Sequence, residues 1–405
     1  MSLGSSTTSD LKATPVTSPT LSTTMVVLLA FCCGAVVANL YYAQPIVELI
    51  APQIGLSSEH ASLIVALTQL GYALGLFFLV PLADLMENRR LVVGFSLAAS
   101  LCLAGAALSQ TPSTFLICSL LIGLTSVAVQ ILVPLAAHMA PEKSRGQVVG
   151  NIMSGLLLGI LLSRPIASTL TESFGWHGVF FGASALMAMI ALLMGVALPQ
   201  RMPAHRASYG ALIGSIFSLA RRYAVLRERS LYQGLLFASF SIFWTIAPVE
   251  LIRHHHFSQT QVALFTLVGA VGAIAAPIAG RLADAGHTQR GSLIALLLAP
   301  ASLLIAALPA SGYLWLVVSA VLLDFAVQLN MVLGQREVYA LDPQSRARLN
   351  AVYMTSIFLG GALGSVLASP LYERLGWNLF VCLAALIPAV AAVLFFSRLR
   401  ISAKL

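Results

Sequence analysis

The sequence predicts an all-α polytopic membrane protein, with twelve membrane-crossing helices arranged as two pseudo-symmetric six-helix bundles. Three observations predict it. Of 405 residues, 59% are hydrophobic and 9% charged, and the mean hydropathy is +0.91, which is more apolar surface than a water-soluble chain can bury. Twelve apolar runs are each long enough to cross a hydrocarbon core, which takes about 20 helical residues. Short sequence echoes recur about 200 positions apart. Short alternating strands separated by turns are absent, which excludes a membrane β-barrel.

Taken in order, residues 1–24 hold 13 Ser or Thr and one Lys with no apolar periodicity, and read as a disordered cytoplasmic tail. Span one (25–47) carries Asn39, Tyr41, Tyr42 and Gln44 ahead of Pro45, a proline that frees a carbonyl and bends the helix. Span two (61–83) carries Gln69 and Tyr72 and stops on Asp84, followed by Glu87, Arg89 and Arg90. Spans three (91–109) and four (114–137) follow, the latter with Gln130. Span five (147–170) holds Asn151 and Arg164, and span six (178–198) closes the first bundle, 25–198. The segment 199–230 bears Pro, Arg and Ser and reads as a cytoplasmic linker, with an amphipathic surface helix at Ala211–Ala220.

The second bundle (231–398) begins with span seven (231–250), where Trp244 and Thr245 precede Pro248. Span eight (260–281) ends just before Asp284, and span nine is 291–309. Span ten (312–335) contains Asp324 about twelve residues in, with Gln328 one turn on and on the same helix face. Span eleven (349–371) carries Tyr353, span twelve is 377–397, and 399–405 is a cytoplasmic tail. The five cysteines all fall inside spans without metal-ligand spacing and serve as small packing residues.

Position matters more than the net charge of +8. Assigning alternate loops to alternate sides puts all 22 Lys and Arg on the side of the N-terminal tail, except Arg253, Arg374 and the intramembrane Arg164. Lys12, Lys143, Arg206 and Lys404 belong to that majority. The positive-inside rule then predicts a multi-pass protein with both termini and the 199–230 loop cytoplasmic. The basic excess orients the chain against lipid and needs no nucleic-acid partner.

Five echoes keep their order and nearly their spacing: Val47–Ile50 with Val249–Ile252, Leu82–Asp84 with Leu282–Asp284, Ala128–Gln130 with Ala326–Gln328, Ser144–Arg145 with Ser345–Arg346, and Gly175–Trp176 with Gly376–Trp377. Five in register mark an internal repeat of six spans. Two parallel repeats are a transporter plan, with the substrate at midplane between them.

The twelve spans, the repeat and the loop after span two resemble the major facilitator superfamily from Met25 onward. That family's loop runs Gly-x-Leu-Ala-Asp-Arg-x-Gly-Arg-Lys. Here Leu82, Ala83, Asp84 and Arg89 match, while Val80, Leu85, Glu87 and Asn88 depart from it. The second copy keeps Gly280, Leu282, Ala283, Asp284 and Gly286, with Arg290 downstream. NLYYAQP in span one and GLLLGILLSRP in span five are similar to the bacterial drug-efflux, proton-antiporter branch, which implies a bacterial inner membrane. Span four departs from that branch, with Ser119 in place of its arginine, and span five has Ile160 in place of its proline.

The resemblance implies that span two packs on span eleven and span five on span eight. Asp84 would then face the start of span eleven near Arg346, with Arg145 as a partner, and Asp284 would face the start of span five. Asp84, Arg89, Arg90, Arg145, Asp284 and Arg346 are thus expected to form cytoplasmic latches. Glycine pairs read either as sliding surfaces across the same seams, Gly71 and Gly75 against Gly360 and Gly364, and Gly155 and Gly159 against Gly269 and Gly272, or as ordinary tight packing within one half.

Ionisable residues deep in a membrane usually mark function. Asp324 is the candidate proton carrier. Arg164, placed one turn from the outer end of its span, has three readings: a contact for a substrate carboxylate, a countercharge, or a snorkelling surface residue. Asn39, Tyr42, Gln44, Gln69, Tyr72, Gln130, Trp244, Gln328 and Tyr353 complete a candidate lining that suits a small amphipathic molecule. Glu48 and Glu250 read as interfacial caps, and His254–His256 as a rim feature rather than a metal site. No nucleophile–base pair or HExxH motif marks an enzyme, and no repeated pore loop marks a channel. The expectation is a secondary transporter working as a monomer by alternating access, with no cofactor beyond a proton gradient. Efflux against protons is the first direction, and uptake by proton symport the alternative.

Overall fold

The computed structural model describes residues 22–142, 144–202, 208–308 and 313–402. Lys12, Lys143, Arg206 and Lys404 lie outside them, as do most of the 1–24 tail and parts of the linker and of the last seven residues. The described elements are all helical. Eight helices are long and apolar enough to cross a bilayer, and Arg145–Ala197 and Arg346–Ser402 are far longer than one crossing needs. At 1.5 Å per residue each would extend roughly 80 Å if straight, against a core of about 30 Å. Both fold back at one glycine, Gly175 (φ 68°, ψ 171°) and Gly376 (φ 68°, ψ 173°), a conformation closed to side chains with a Cβ. The tryptophan after each turn ties it down: Trp176 Nε1 donates to Gln53 Oε1 and Trp377 Nε1 to the Ala306 carbonyl, both at 2.8 Å. With the shorter apolar helices Thr23–Ala38 and Gln259–Val268 opening spans one and eight, the described residues make twelve crossings.

Several spans abandon α-helix at depth. Span one stops at Ala38 and resumes as Gln44–Ile46 and Val47–Gln53, where Pro45 has no N–H to give. Span two ends in a π segment, Gly75–Leu79, and a 3₁₀ turn, Val80–Asp84. Spans four and eight contain 3₁₀ turns at Ser126–Ala128 and Gly269–Ile274. Irregular backbone survives in a membrane only where protein or a cavity covers it, so these breaks mark the inner faces of the bundles.

Other spans outrun their apolar cores. Span five continues to residue 174, and span seven fills Ala224–His255, which takes Arg229 out of the expected linker and buries it at 3% exposure. Arg229 donates to Glu337 at 2.6 Å and to Ser292 at 2.6 Å, joining spans seven, nine and ten. The linker helix, Tyr209–Arg222, is capped by Ser208 and turns Leu212, Ile216 and Leu219 inward.

Glycines set which spans touch, and of the two readings the structure has packing within each half, not the cross-bundle pairs. A Cβ on Gly159 would lie 2.1 Å from the Gly34 carbonyl oxygen, and one on Gly360 2.2 Å from that of Gly234. Spans one and five therefore close on each other within the first bundle, as do spans seven and eleven within the second. Gly71 closes on Leu120 of span four, and Gly272 on Asp324 of span ten. The glycines stabilise each bundle internally, because backbones approach closely only where no side chain intervenes.

The seam between bundles uses side chains instead. Ser62 and Ser369 exchange backbone-to-hydroxyl bonds at 3.1 and 3.2 Å. Gln69 and Ser241 pair reciprocally at 2.9 and 3.2 Å, and Tyr72 meets Phe358 edge-on at 4.5 Å. On the face opposite the termini, Arg253 pairs with Glu48 of span one at 2.6 Å and with Glu373 at 2.7 Å. Arg374 pairs with Glu59 at 2.5 Å, and Thr260 donates to Glu172. Glu48 is therefore a clasp between the bundles rather than a cap, and Glu250 accepts from Tyr372 at 2.6 Å. Among the described residues, every side-chain hydrogen bond or ion pair between the bundles lies from midplane to this face. Towards the terminal face the seam opens into a cavity of about 300 Å³, lined by spans two, four and eleven and the linker helix. The bundles are shut on one side and parted on the other.

Candidate functional site

At mid-depth the breaks and the seam converge on a small charged cluster. Arg164 lies about ten residues before the end of span five, and Asp324 about ten after the start of span ten, roughly 15 Å along each helix. This corrects the expected depth of Arg164: the helix runs on past the apolar run, leaving the side chain 4% exposed near midplane, out of snorkelling reach. The two charged groups meet through Trp244. Its indole N–H donates to Asp324 Oδ1 at 2.7 Å, and the Arg164 guanidinium lies 4.5 Å from the ring centroid. Tyr41 and Phe240 flank the same guanidinium at 5.1 and 5.4 Å. Arg164 Nε also donates to Gln44 Oε1 at 2.8 Å.

Each element has a local reason to be there. The interruption after Ala38 lets Tyr41 and Gln44 leave the helical path of span one. The 3₁₀ turn of span eight brings backbone so close to span ten that a Cβ at Gly269 would lie 2.5 Å from Asp324 Oδ2. Asp324 is thus held on one side by an indole and on the other by glycine backbone. A carboxylate in such surroundings is stabilised chiefly by the charge-assisted bond from Trp244 and the nearby guanidinium.

Residues 26–226 and 229–404 match the family described as the Major Facilitator Superfamily. The chain belongs to that superfamily. It is a multi-pass membrane transporter and not an enzyme. It is 42% identical over 379 residues to an uncharacterized transporter, YgaY, of Escherichia coli O157:H7, covering 93% of this chain and 96% of that one. It is 32% identical to a probable transporter, SCO4007, of Streptomyces coelicolor, covering 87% and 82%. Among solved structures, a bacterial homologue of the human lysosomal transporter Spinster, inward-facing and occupied, superposes with a TM-score of 0.75 at 15% identity, covering 93% and 96%. A mutant of the nucleoside transporter NupG gives 0.73 at 16%, covering 92% and 98%. At these identities the superfamily fold is what is shared.

Around the cluster this superfamily member arranges the remaining candidates in pairs. Gln130 donates to Tyr72 at 3.0 Å, and Asn39 to Ser126 at 3.3 Å. Tyr42 is buried, and Gln328 is half-buried one turn from Asp324. Tyr353 stands apart: its hydroxyl bonds the Met331 carbonyl at 3.2 Å and packs by Gly334, outside the midplane group. Asn151 is exposed. Gln233 and Asn330 form a buried pair at 2.7 Å that sequence reasoning missed, although two amides inside apolar runs were its visible signal.

The latch candidates divide. Asp84 is exposed on the open cavity, which Ala347, Arg348 and Ala351 at the start of span eleven also line. Arg89 reaches the Leu198 carbonyl at 3.5 Å, and Arg90 pairs with Glu87 at 2.7 Å. Asp284 pairs with Arg336 of its own bundle rather than meeting the start of span five. Arg346 donates to the Tyr339 carbonyl at 3.2 Å, and Arg145 is exposed.

Proposed function

We propose that this superfamily member is a proton-coupled carrier of a small amphipathic organic solute, with Asp324 taking up and releasing the coupling proton in each cycle. One observation carries the reading: an acid at mid-depth, held by Trp244 and linked through it to Arg164, in a seam that opens to one face. Asp324 and Trp244 belong to the second bundle and Arg164 to the first, so the carboxylate's surroundings change whenever the bundles tilt. That is what ties protonation to alternating access. With the basic loops in the cytoplasm, the parted face is the cytoplasmic one, and Asp84 is a latch that closes against span eleven when the seam shuts there.

The segments similar to the efflux branch make outward exchange against protons the first reading. Proton symport is the second, and Arg164 favours it: an anionic solute on the guanidinium and a proton on Asp324 relieve each other's charge and bind together. In proteoliposomes with a trapped pH dye, a panel of dyes and small organic acids, amides and amines is imposed as a gradient in each direction. Solute-driven proton movement is expected in the wild type and none in Asp324→Asn; an Asn variant that still moves protons would end the assignment of Asp324. The sign of the pH change separates exchange from symport.

A further inference from the structure

Arg164 and Gln44 leave donors unused. Their mutual bond consumes one N–H of the guanidinium and the amide oxygen. Arg164 Nη2 and Gln44 Nε2 remain buried without a partner, in side chains 4% and 0% exposed. Nη2 shares Cζ with the bonded Nε, and Nε2 shares Cδ with the bonded Oε1, so both lie close to the one contact. Buried unmet donors are destabilising, charged ones most of all. A site that holds two of them together is shaped for an acceptor that comes from outside the chain.

We infer that this acceptor is the carboxylate of the transported solute, and that the solute class is a monocarboxylate with an aromatic or apolar body. The inference rests on the proposal above only in placing the solute at the midplane cluster; it needs Asp324 neutral while the solute is bound, not that its proton be transported. Adjacent guanidinium and amide N–H groups match the two oxygens of a planar anion. The rings of Tyr41, Phe240 and Trp244 surround the guanidinium at 4.5 to 5.4 Å, so the part of the solute next to its charge meets aromatic faces. Among the described residues, Arg164 is the one cation at this depth, and Asp324 the one acid, so with Asp324 neutral a single negative charge is accommodated. A dianion would leave a charge unpaired, and an amine would face Arg164 with like charge.

The test uses the full chain purified in detergent, without a gradient. Benzoate, phenylacetate and 2-naphthoate are each titrated beside the matching amide and amine, with thermal stabilisation and heat of binding as readouts. At least one carboxylate is expected to bind about tenfold or more tighter than its amide and amine. Gln44→Glu places a resident carboxylate on Arg164 and abolishes the preference. It serves where Arg164→Gln does not fold. Asp324→Asn retains the preference, so loss of proton coupling and loss of carboxylate selectivity are separable results. The inference is overturned if no carboxylate outbinds its amide, if Gln44→Glu keeps the preference, or if Asp324→Asn abolishes it.

Discussion

Asp324 stands, one repeat later, where the first bundle has Ser126, each two residues before the shared Ala-Val-Gln. In the first bundle Ser126 accepts a bond from Asn39. In the second, glycines 269 and 272 on the facing span make room for an acid at that position. The Trp244 indole is what orients that acid. Trp244→Phe keeps a six-membered ring under Arg164 and removes the five-membered ring with its N–H, whose bond to a charged group contributes about 1.5–3 kcal/mol. Initial transport rates should fall roughly tenfold or more at unchanged protein yield; a wild-type rate would exclude the bond from the cycle. Asp324 and Arg164 were legible in the sequence because charge inside an apolar run is conspicuous. Their linkage through Trp244 was not, since it joins residues 80 positions apart, and the true depth of Arg164 depends on where its helix ends. Arg229 was hidden for the same reason, as a base at the edge of an apolar run reads as loop. Arg229→Met alone should lower stability by about 3 kcal/mol, the lower end for a broken buried pair because Glu337 is 24% exposed. Adding Glu337→Leu should restore most of it, which thermal unfolding in detergent measures through the double-mutant cycle.

At the scale of elements, the repeat was legible in short echoes, and one of them, Gly-Trp, marks both tight turns. Turn and tryptophan were visible as letters; the positive φ that requires glycine became apparent only in the fold. The spans that pack across the seam are those expected, two on eleven and five on eight, but the glycines do not meet there, and the reason is physical. A glycine pattern announces close approach but not the neighbour, which depends on how six helices close into a bundle. Span one against span five is the clearest case, with Gly34, Gly155 and Gly159 interlocked. Gly159→Ala should force the two backbones apart, an overpacking strain of about 1–3 kcal/mol, and lower the unfolding temperature in detergent. Gly182→Ala, where a Cβ meets nothing within 4 Å, should leave it unchanged. Equal behaviour of the two variants would remove close glycine packing as the source of bundle stability.

For the whole molecule, the distribution of bonds across the seam determines which state is favoured. Arg253 ties Glu48 of one bundle to Glu373 of the other on the shut face, while Asp84 on the parted face looks across a cavity towards Arg348. These groups are partly exposed, so each pair is modest, on the order of 1 kcal/mol. Two tilted states of one carrier differ by only a few kcal/mol, however, and a change of about 1.4 kcal/mol shifts their ratio tenfold. Arg253→Gln leaves Glu48 and Glu373 facing each other without their cation and should move the population towards opening on that face. Asp84→Asn should act oppositely, by weakening the closure that the parted face needs to complete the cycle. Spin labels on the outer ends of spans one and seven should therefore move apart in Arg253→Gln and stay at their shorter separation in Asp84→Asn. Transport should fall in both, because a carrier held in either state stops cycling. If both variants shift the distances the same way, the two faces are not gated in opposition and the tilting of two bundles about the Asp324 cluster is excluded.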